Sequence, residues 1–327
     1  MTFAIGVDIG GTKIQFAAVA QDGTVLCRHQ VPTEASRGPA QLMDKVLAGI
    51  DRTREEMRQA GRPAGVGIGS AGQIDCRSGE VVYASDLLPG WAGTPVKRLV
   101  EARFGLPVRI DNDVNVVAVA EKVYGAGRSC GSFVCIALGT GIGGAMVEGG
   151  QLVRGAFGGA GELGHVSVDF EGPLCSCGNN GCVELYASGS GISRLGRDAL
   201  AAARDEGRPA PGWEPASRDI IAAWLAGEPL AGQVMDRALR ALGAAIAGYI
   251  HMFNPEAVIV GGGVAEAGEP FFAALETQVR RRTSAAMRDA CRLLPAYVGA
   301  DAGVIGAAAQ IWHYGDDRED ESAVGAV

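Results

Sequence analysis

Residues 132–147 read SFVCIALGTGIGGAMV, an apolar run, a glycine-rich turn and a second apolar run. The turn formally contains G-x-G-x-x-G, which is typical of dinucleotide-binding loops when a helix follows it. Here the following residues, AMVEGGQLV, predict a strand, a Gly-Gly turn and another strand. The pattern therefore predicts a hairpin with a glycine turn and argues against a dinucleotide-binding loop.

The same pattern opens the chain. Residues 3–19, FAIGVDIGGTKIQFAAV, predict a buried strand ending at Asp8, a turn at Gly10 and Gly11, and a second strand from Thr12. Such turns expose backbone N–H groups that can bind phosphate, and the acid beside them can meet a metal ion. An ordinary hairpin turn is the alternative. Because the hairpin occurs twice, we infer an internal duplication, with two similar domains holding one nucleotide between them.

A dense group of metal-binding side chains lies in residues 162–184, ELGHVSVDFEGPLCSCGNNGCVE. Three thiolates and one imidazole, from Cys175, Cys177, Cys182 and His165, form the Cys₃His shell of structural Zn²⁺ sites. Four protein ligands leave no position for a water, so the metal is expected to hold a loop, and a zinc hydrolase is disfavoured. Three buried or disulfide-linked cysteines are the alternative.

The motif E-x-G-H followed by C-x-C-G-x-x-G-C-x-E resembles the signature of the ROK family, the bacterial sugar kinases and sugar-responsive repressors. The positions that match are Glu162, Gly164, His165, Cys175, Cys177, Gly178, Gly181, Cys182 and Glu184. The resemblance spans residues 3–312 and implies an α/β fold of the two-domain actin-like ATPase (ribonuclease H-like) type, with its active site in the interdomain cleft. It also implies ATP and Mg²⁺, structural Zn²⁺, and transfer of phosphate to a hexose at its 6-hydroxyl. We predict a smaller N-terminal domain of residues 1–113 and 303–327 and a larger C-terminal domain, 114–302, with the zinc loop.

Polar residues between a predicted strand and an apolar helix indicate the reaction centre. Asp111, Asn112 and Asp113 lie where α/β proteins place ligand groups, although Asn112 or Asp113 could equally cap the helix. The string N-D-x-N resembles the family's catalytic segment. The resemblance implies that Asp113 is the general base, and that Asn112 binds the sugar hydroxyls together with Glu162, His165 and Glu184.

The resemblance also implies a set of nucleotide-binding residues. The two hairpins would hold the phosphates, Asp8 would orient Mg²⁺ through water, and a glycine run after a predicted strand would lie against adenine or ribose. A plain turn is the alternative for that run. The residues are Asp8, Gly10, Gly11, Thr12, Lys13, Gly139, Thr140, Gly141, Gly261, Gly262 and Gly263.

Two further loops are expected near the sugar. The loop at Ser70 and Gly72 commonly reads Pro-Gly in the family, where this chain has Ala71-Gly72. In related enzymes residues 81–94 lie over the sugar, so Asp86 could favour a substrate that carries an amino group. A surface acid or helix cap is the alternative for Asp86.

The composition of the chain disfavours several other classes of protein. A net charge of −8 disfavours a nucleic-acid surface. No apolar run approaches the roughly 20 residues that span a bilayer. Eight cysteines without a signal peptide indicate a cytoplasmic protein, and the acidic residues 316–327 predict a frayed tail.

The resemblance allows three alternatives to a glucokinase-like enzyme. One is a kinase for an amino sugar: glucosamine, kanosamine, N-acetylmannosamine or N-acetylglucosamine. The others are a non-catalytic sugar sensor and a repressor. Repressors of this family carry a helix-turn-helix domain ahead of the first hairpin, for which a strand starting at Phe3 leaves no room. The resemblance also implies a homodimer.

Overall fold

The structure, a computed structural model, describes residues 1–209 and 212–314. The chain divides into two compact units. The first comprises Met1–Ser129, Leu152–Ala160 and the chain from Tyr297, and the second comprises Cys130–Gln151 and Gly161–Ala296. The predicted tail, 316–327, lies outside the described residues. Within the described ranges, no helix has the length and apolar character needed to cross a membrane.

The first unit is built on a five-stranded sheet. The strands of the whole unit are β1 (Thr2–Ile9), β2 (Lys13–Ala20), β3 (Val25–Pro32), β4 (Arg62–Ser70), β5 (Gln73–Asp75), β6 (Glu80–Tyr83) and β7 (Val108–Asn112), and its first helices are α1 (Pro39–Glu56), α2 (Val96–Phe104) and α3 (Asp113–Val123). The sheet order is β3-β2-β1-β4-β7, and β5 pairs with β6 in a separate ribbon. Residues 81–94 were predicted as a loop, but the first three of them belong to β6, and the side chain of Val81 is fully buried.

The second unit has a sheet of the same design. Its strands are β8 (Phe133–Leu138), β9 (Ile142–Glu148), β10 (Gln151–Leu152), β11 (Ala257–Gly261) and β12 (Arg292–Pro295), and its helices are α4 (Glu184–Ala187), α5 (Gly189–Asp205), α6 (Ser217–Leu225), α7 (Pro229–Phe253), α8 (Glu269–Arg280) and α9 (Ala285–Ala290). The order is β10-β9-β8-β11-β12. In both sheets an antiparallel hairpin is followed by two parallel strands. The predicted duplication of the strand–glycine–strand unit is confirmed.

Alternating apolar residues along β8 form part of the core of the second unit. Val134, Ile136 and Leu138 of β8 are spaced two residues apart, so they share one face of the sheet, and they pack in one buried cluster with residues of the long helix α7. That helix ends where Asn254 adopts a left-handed conformation with φ 43°, and Pro255 follows it. A left-handed cap followed by proline is a common way for a helix to end.

The last helix, α10 (Ala302–His313), belongs to the first unit and packs against β1, β4 and α3. It lies directly on the backbone of the sheet. A Cβ atom on Gly6 would stand 1.9 Å from the Val304 carbonyl oxygen, and one on Gly67 would stand 1.7 Å from that of Ala307. Because α3 packs on α10, the first unit extends to Ser129, beyond the boundary predicted at residue 113.

Candidate active site

The first glycine turn carries an acid with a strongly altered pKa. Asp8 is the second-last residue of β1, and the Gly10 N–H donates to the Lys13 carbonyl across the turn (3.1 Å). Burial, and then the negative charge of Asp113, raise the pKa of Asp8 to about 7, against a smaller opposing effect of Lys13. Two carboxylates that repel each other disfavour their common ionised state. A divalent cation relieves that repulsion, so the pair suits Mg²⁺, which takes carboxylate and water oxygens.

Asn112 caps α3 and still has donor capacity. Its Oδ1 accepts the N–H groups of Val114 (2.8 Å) and Asn115 (3.2 Å), while its Nδ2 donates to the Gly72 carbonyl (2.9 Å). An amide nitrogen has two hydrogens, so one remains beyond the Gly72 bond. Asn112 therefore caps α3, as the alternative predicted, and one hydrogen of its amide nitrogen can still bind a ligand. Asp113 is the first residue of the helix.

Position 72, whose carbonyl accepts this bond, requires a glycine. Its φ is +108°, and a Cβ there would lie 2.4 Å from the Tyr83 carbonyl oxygen. Only glycine fits both conditions. The structure thus brings Gly72 and Asn112 together, as their shared predicted role requires.

Ser70 and Asp86 differ sharply in exposure. The Ser70 side chain is fully buried: its hydroxyl accepts the Trp91 Nε1–H (3.1 Å) and donates to the Ala71 carbonyl (3.1 Å). Its hydroxyl stabilises the loop, so a direct sugar contact would require these bonds to be exchanged. Asp86 lies exposed in a turn after β6.

Arg154 was not anticipated from the sequence. Its Nε donates to Oδ2 of Asp111 (2.8 Å), whose side chain is 1% exposed. Asp111 precedes the Asn112–Asp113 pair, and the two partners are 43 positions apart in the chain. No local pattern marks Arg154.

In the second unit, the second glycine turn is bonded to α4 and α5. The Ile142 N–H donates to Oε2 of Glu184 (2.8 Å). Gly189, at the start of α5, donates to the Gly139 carbonyl (2.8 Å), and the Ser190 hydroxyl donates to that of Thr140 (2.7 Å). Glu184 thus uses one oxygen on the predicted phosphate turn. Sequence reasoning missed that α5 begins against this turn.

The glycine run after β11 lies beside the same turn. Gly262 has φ +91°, and a Cβ there would lie 2.5 Å from the Leu138 carbonyl oxygen, one residue before Gly139. Gly262 and Gly263 are exposed. The second unit therefore presents two exposed glycine segments side by side, which suits a flat ligand against the backbone.

The four predicted zinc ligands converge. Ligand atoms of His165, Cys175, Cys177 and Cys182 lie within 4.8 Å of one another. The Cys177 and Cys182 sulfurs are 3.6 Å apart, and the Cys175 sulfur lies 3.6 Å from His165 Nδ1. A tetrahedral Zn²⁺ with its usual bond lengths needs separations of about 3.5–3.8 Å. The donor set and its spacing therefore fit zinc.

The second ring nitrogen of His165 faces a carboxylate. With Nδ1 directed to the sulfurs, Nε2 lies 3.9 Å from Oε2 of Glu162. A metal at Nδ1 leaves the proton on Nε2, so this nitrogen can donate. His165 can thus serve the metal and a ligand hydroxyl at once.

These features define a mixed α/β protein of the actin-like ATPase class, with a glycine hairpin in each unit and carboxylates at the first hairpin. The ROK family model matches residues 4–313, and the chain belongs to the ROK family.

Several relatives are similar over nearly their whole length. The glucokinase of Thermotoga maritima is 36% identical over 310 residues, which cover 94% of this chain and 96% of the relative. An N-acetylmannosamine kinase of Escherichia coli is 33% identical over 305 residues, covering 93% and 96%. The crystal structure of a ROK family glucokinase from Streptomyces griseus, in complex with glucose and AMPPNP, superposes with a TM-score of 0.79 at 35% identity, covering 94% of this chain and 98% of that one.

Proposed function

We propose that this chain is an ATP-dependent hexose kinase that transfers the γ-phosphate of ATP to the 6-hydroxyl of its sugar, as a glucokinase does. The observation that carries the proposal is the carboxyl pair at the first glycine turn. Asp113 opens α3 close enough to Asp8 to raise its pKa. A base beside a metal-orienting acid and a phosphate-binding turn is the arrangement that phosphoryl transfer needs. The glucokinase relatives support the same activity.

In this proposal Asp113 accepts the proton of the sugar hydroxyl as that oxygen attacks the γ-phosphorus. The hydroxyl needs little activation, because the transition state is loose and the proton leaves late. The remaining Nδ2 hydrogen of Asn112 would bind a sugar oxygen. His165 Nε2, Glu162 and the second oxygen of Glu184 would bind further hydroxyls and orient the acceptor.

Two phosphate-binding turns and two metal ions would complete the site. The turns at Gly10–Lys13 and Gly139–Gly141 offer backbone N–H groups to the phosphates, and Gly261–Gly263 would lie against the nucleoside. Asp8 would hold Mg²⁺, which would supply charge neutralisation on the phosphates. Cys175, Cys177, Cys182 and His165 would hold Zn²⁺, which would keep the sugar-binding loop in shape.

The test is ADP release from ATP and Mg²⁺ across glucose, mannose, fructose, glucosamine, kanosamine and the two N-acetyl sugars. Asp113→Asn should lower kcat by about a thousandfold, within the range for loss of a general base, and leave sugar affinity within a few-fold. The exposed Asp44→Asn on α1 is the matched control. A variant at Asp113 that keeps its kcat would exclude this residue as the base. A sugar that binds wild type without releasing ADP would favour the sensor function.

A kinase for an amino sugar is the second candidate, and the N-acetylmannosamine kinase relative favours it. Asp86 is the residue that would contact a free ammonium, and it lies exposed in its turn. If it does so, Asp86→Asn should raise the KM for glucosamine or kanosamine at least about tenfold, the loss expected for a charge-assisted hydrogen bond, and leave glucose unchanged. An unchanged sugar preference would remove Asp86 from the proposal.

We further propose that the enzyme acts as a cytoplasmic homodimer. None of the eight cysteines, all of which lie within the described residues, forms a disulfide, and this fits a reducing compartment. Sedimentation equilibrium at micromolar concentration tests the dimer, and a mass of 33.6 kDa would refute it.

A further inference from the structure

The Asp111 carboxylate organises the start of α3. Its Oδ1 accepts the Asn112 N–H (2.8 Å) and the Asn115 Nδ2–H (2.6 Å), and its Oδ2 accepts the Arg154 Nε–H (2.8 Å). The side chain therefore joins the end of β7 to the first turn of α3. Asn112 and Asp113, the residues of the proposed reaction, lie between these attachments.

Arg154 itself is held in place from several sides. The Ala160 N–H donates to the Arg154 carbonyl (3.1 Å), which closes the segment 154–160 into a loop. Gly158 in this loop has φ +97°, and a Cβ there would lie 1.9 Å from the Ile74 carbonyl oxygen of β5. The guanidinium lies 5.9 Å from the centre of the Tyr314 ring. Its side chain is 21% exposed.

A contribution to the stability of the fold is a poor explanation for a buried ion pair of this kind. Moving both charges out of water costs several kcal/mol per ion, so such pairs often stabilise a fold no better than apolar residues would. Removing only the arginine has a larger effect, because the buried carboxylate then has no positive charge to balance it. Here the uncompensated carboxylate would lie two residues from Asp113, whose charge already affects Asp8.

We propose that Arg154 is a positioning residue of the phosphoryl-transfer site: it holds the Asp111 carboxylate and, through it, the Asn112–Asp113 turn. The inference rests on the proposed kinase function, in which Asp113 is the base. Arg154 makes no contact with the reacting atoms in this scheme. Its effect is geometric, and displacement of a reacting group by about 1 Å can cost about a hundredfold in rate.

The experiment compares Arg154→Met, Asp111→Asn and the double variant with Arg103→Met. Arg103 pairs with Asp51 at the same 2.8 Å in the first unit, but both side chains are about half exposed, at 57% and 42%, so this control removes an equivalent pair without touching α3. The readouts are kcat and KM for the most active hexose of the panel, Tm, and hydrogen exchange of residues 108–116 without ligands.

Arg154→Met should lower kcat by about tenfold to a hundredfold, measured well below its Tm, and should speed hydrogen exchange at the start of α3. Arg154→Lys, which keeps the charge, should retain more activity and provides the test if the methionine variant does not fold. The double variant should recover part of the lost kcat, because it removes the uncompensated charge. Arg103→Met should leave kcat within about twofold, since exposed pairs contribute little.

A kcat for Arg154→Met within twofold of the control would overturn the proposal, even with a lowered Tm, because the pair would then be structural. Losses that simply multiply in the double variant would also overturn it, since Arg154 would not act through Asp111. If wild type turns over no hexose, the kinase function fails separately. Hydrogen exchange then decides whether Arg154 orders the turn.

Discussion

Asp8→Asn should make the ligand-free protein more stable while abolishing its activity. The native state holds the Asp8 proton up to pH about 7, whereas the unfolded chain releases it near the ordinary value of 3.8. Between these values the native state binds more protons, so its stability falls as the pH rises. Asparagine has nearly the same shape and carries no charge, and therefore escapes this loss.

The size of the effect follows from the pKa shift. At 1.36 kcal/mol per pKa unit, a rise from 3.8 to about 7 corresponds to about 4 kcal/mol above pH 7. At about 2–4 °C per kcal/mol, this predicts a Tm increase of roughly 10 °C for the variant at pH 8. The gain should shrink steadily below pH 7 and vanish near pH 4, where both chains carry a neutral group.

Calorimetry in EDTA at several pH values, for wild type, Asp8→Asn and the exposed control Asp44→Asn, measures this directly. The pH dependence is the informative part, since a packing effect of the substitution would be the same at every pH. A Tm difference that does not grow between pH 4 and pH 7 would refute the assigned cause. Loss of the stability gain on adding Mg²⁺ and ATP is expected as well, because the ionised Asp8 of wild type then gains a counter-charge.

Two further perturbations test the zinc loop and the glycine packing. Cys177→Ser should lower the proposed zinc content, measured in a colorimetric metal assay, and raise the KM for ATP as well as for sugar, because Glu184 near Cys182 bonds the second glycine turn. Cys27→Ser should do neither. An unchanged KM for ATP in the variant without zinc would contradict this coupling. Gly67→Ala should destabilise the first unit by about 3 kcal/mol or more, since its Cβ would overlap the Ala307 carbonyl. Gly232→Ala in α7, with open space around it, should instead stabilise the protein by about 0.5–1 kcal/mol. Equal effects of the two substitutions on the free energy of urea unfolding would refute the packing argument.

The sequence was most informative where the determining contacts are local. The two hairpins, the cap at Asn112 and the end of α7 at Asn254 each depend on residues within a few positions of one another. The proposed zinc site is nearly as local, because its candidate ligands fall between His165 and Cys182. Turns and helix caps are determined by residues a few positions apart, so the sequence alone can predict them.

Contacts between distant segments were decided by the tertiary structure. Arg154 meets Asp111 and Glu184 meets Ile142 across 43 and 42 positions, and nothing near either residue in sequence indicates its partner. The buried hydroxyl of Ser70 and the glycine at position 67 likewise depend on Trp91 and on the backbone of α10. The sequence alone determined which residues are candidates to bind metal, phosphate and sugar, because side-chain chemistry and local turns are encoded by neighbours. Which of them support one another was decided by strand order and helix packing, which bring together residues that are far apart in the chain.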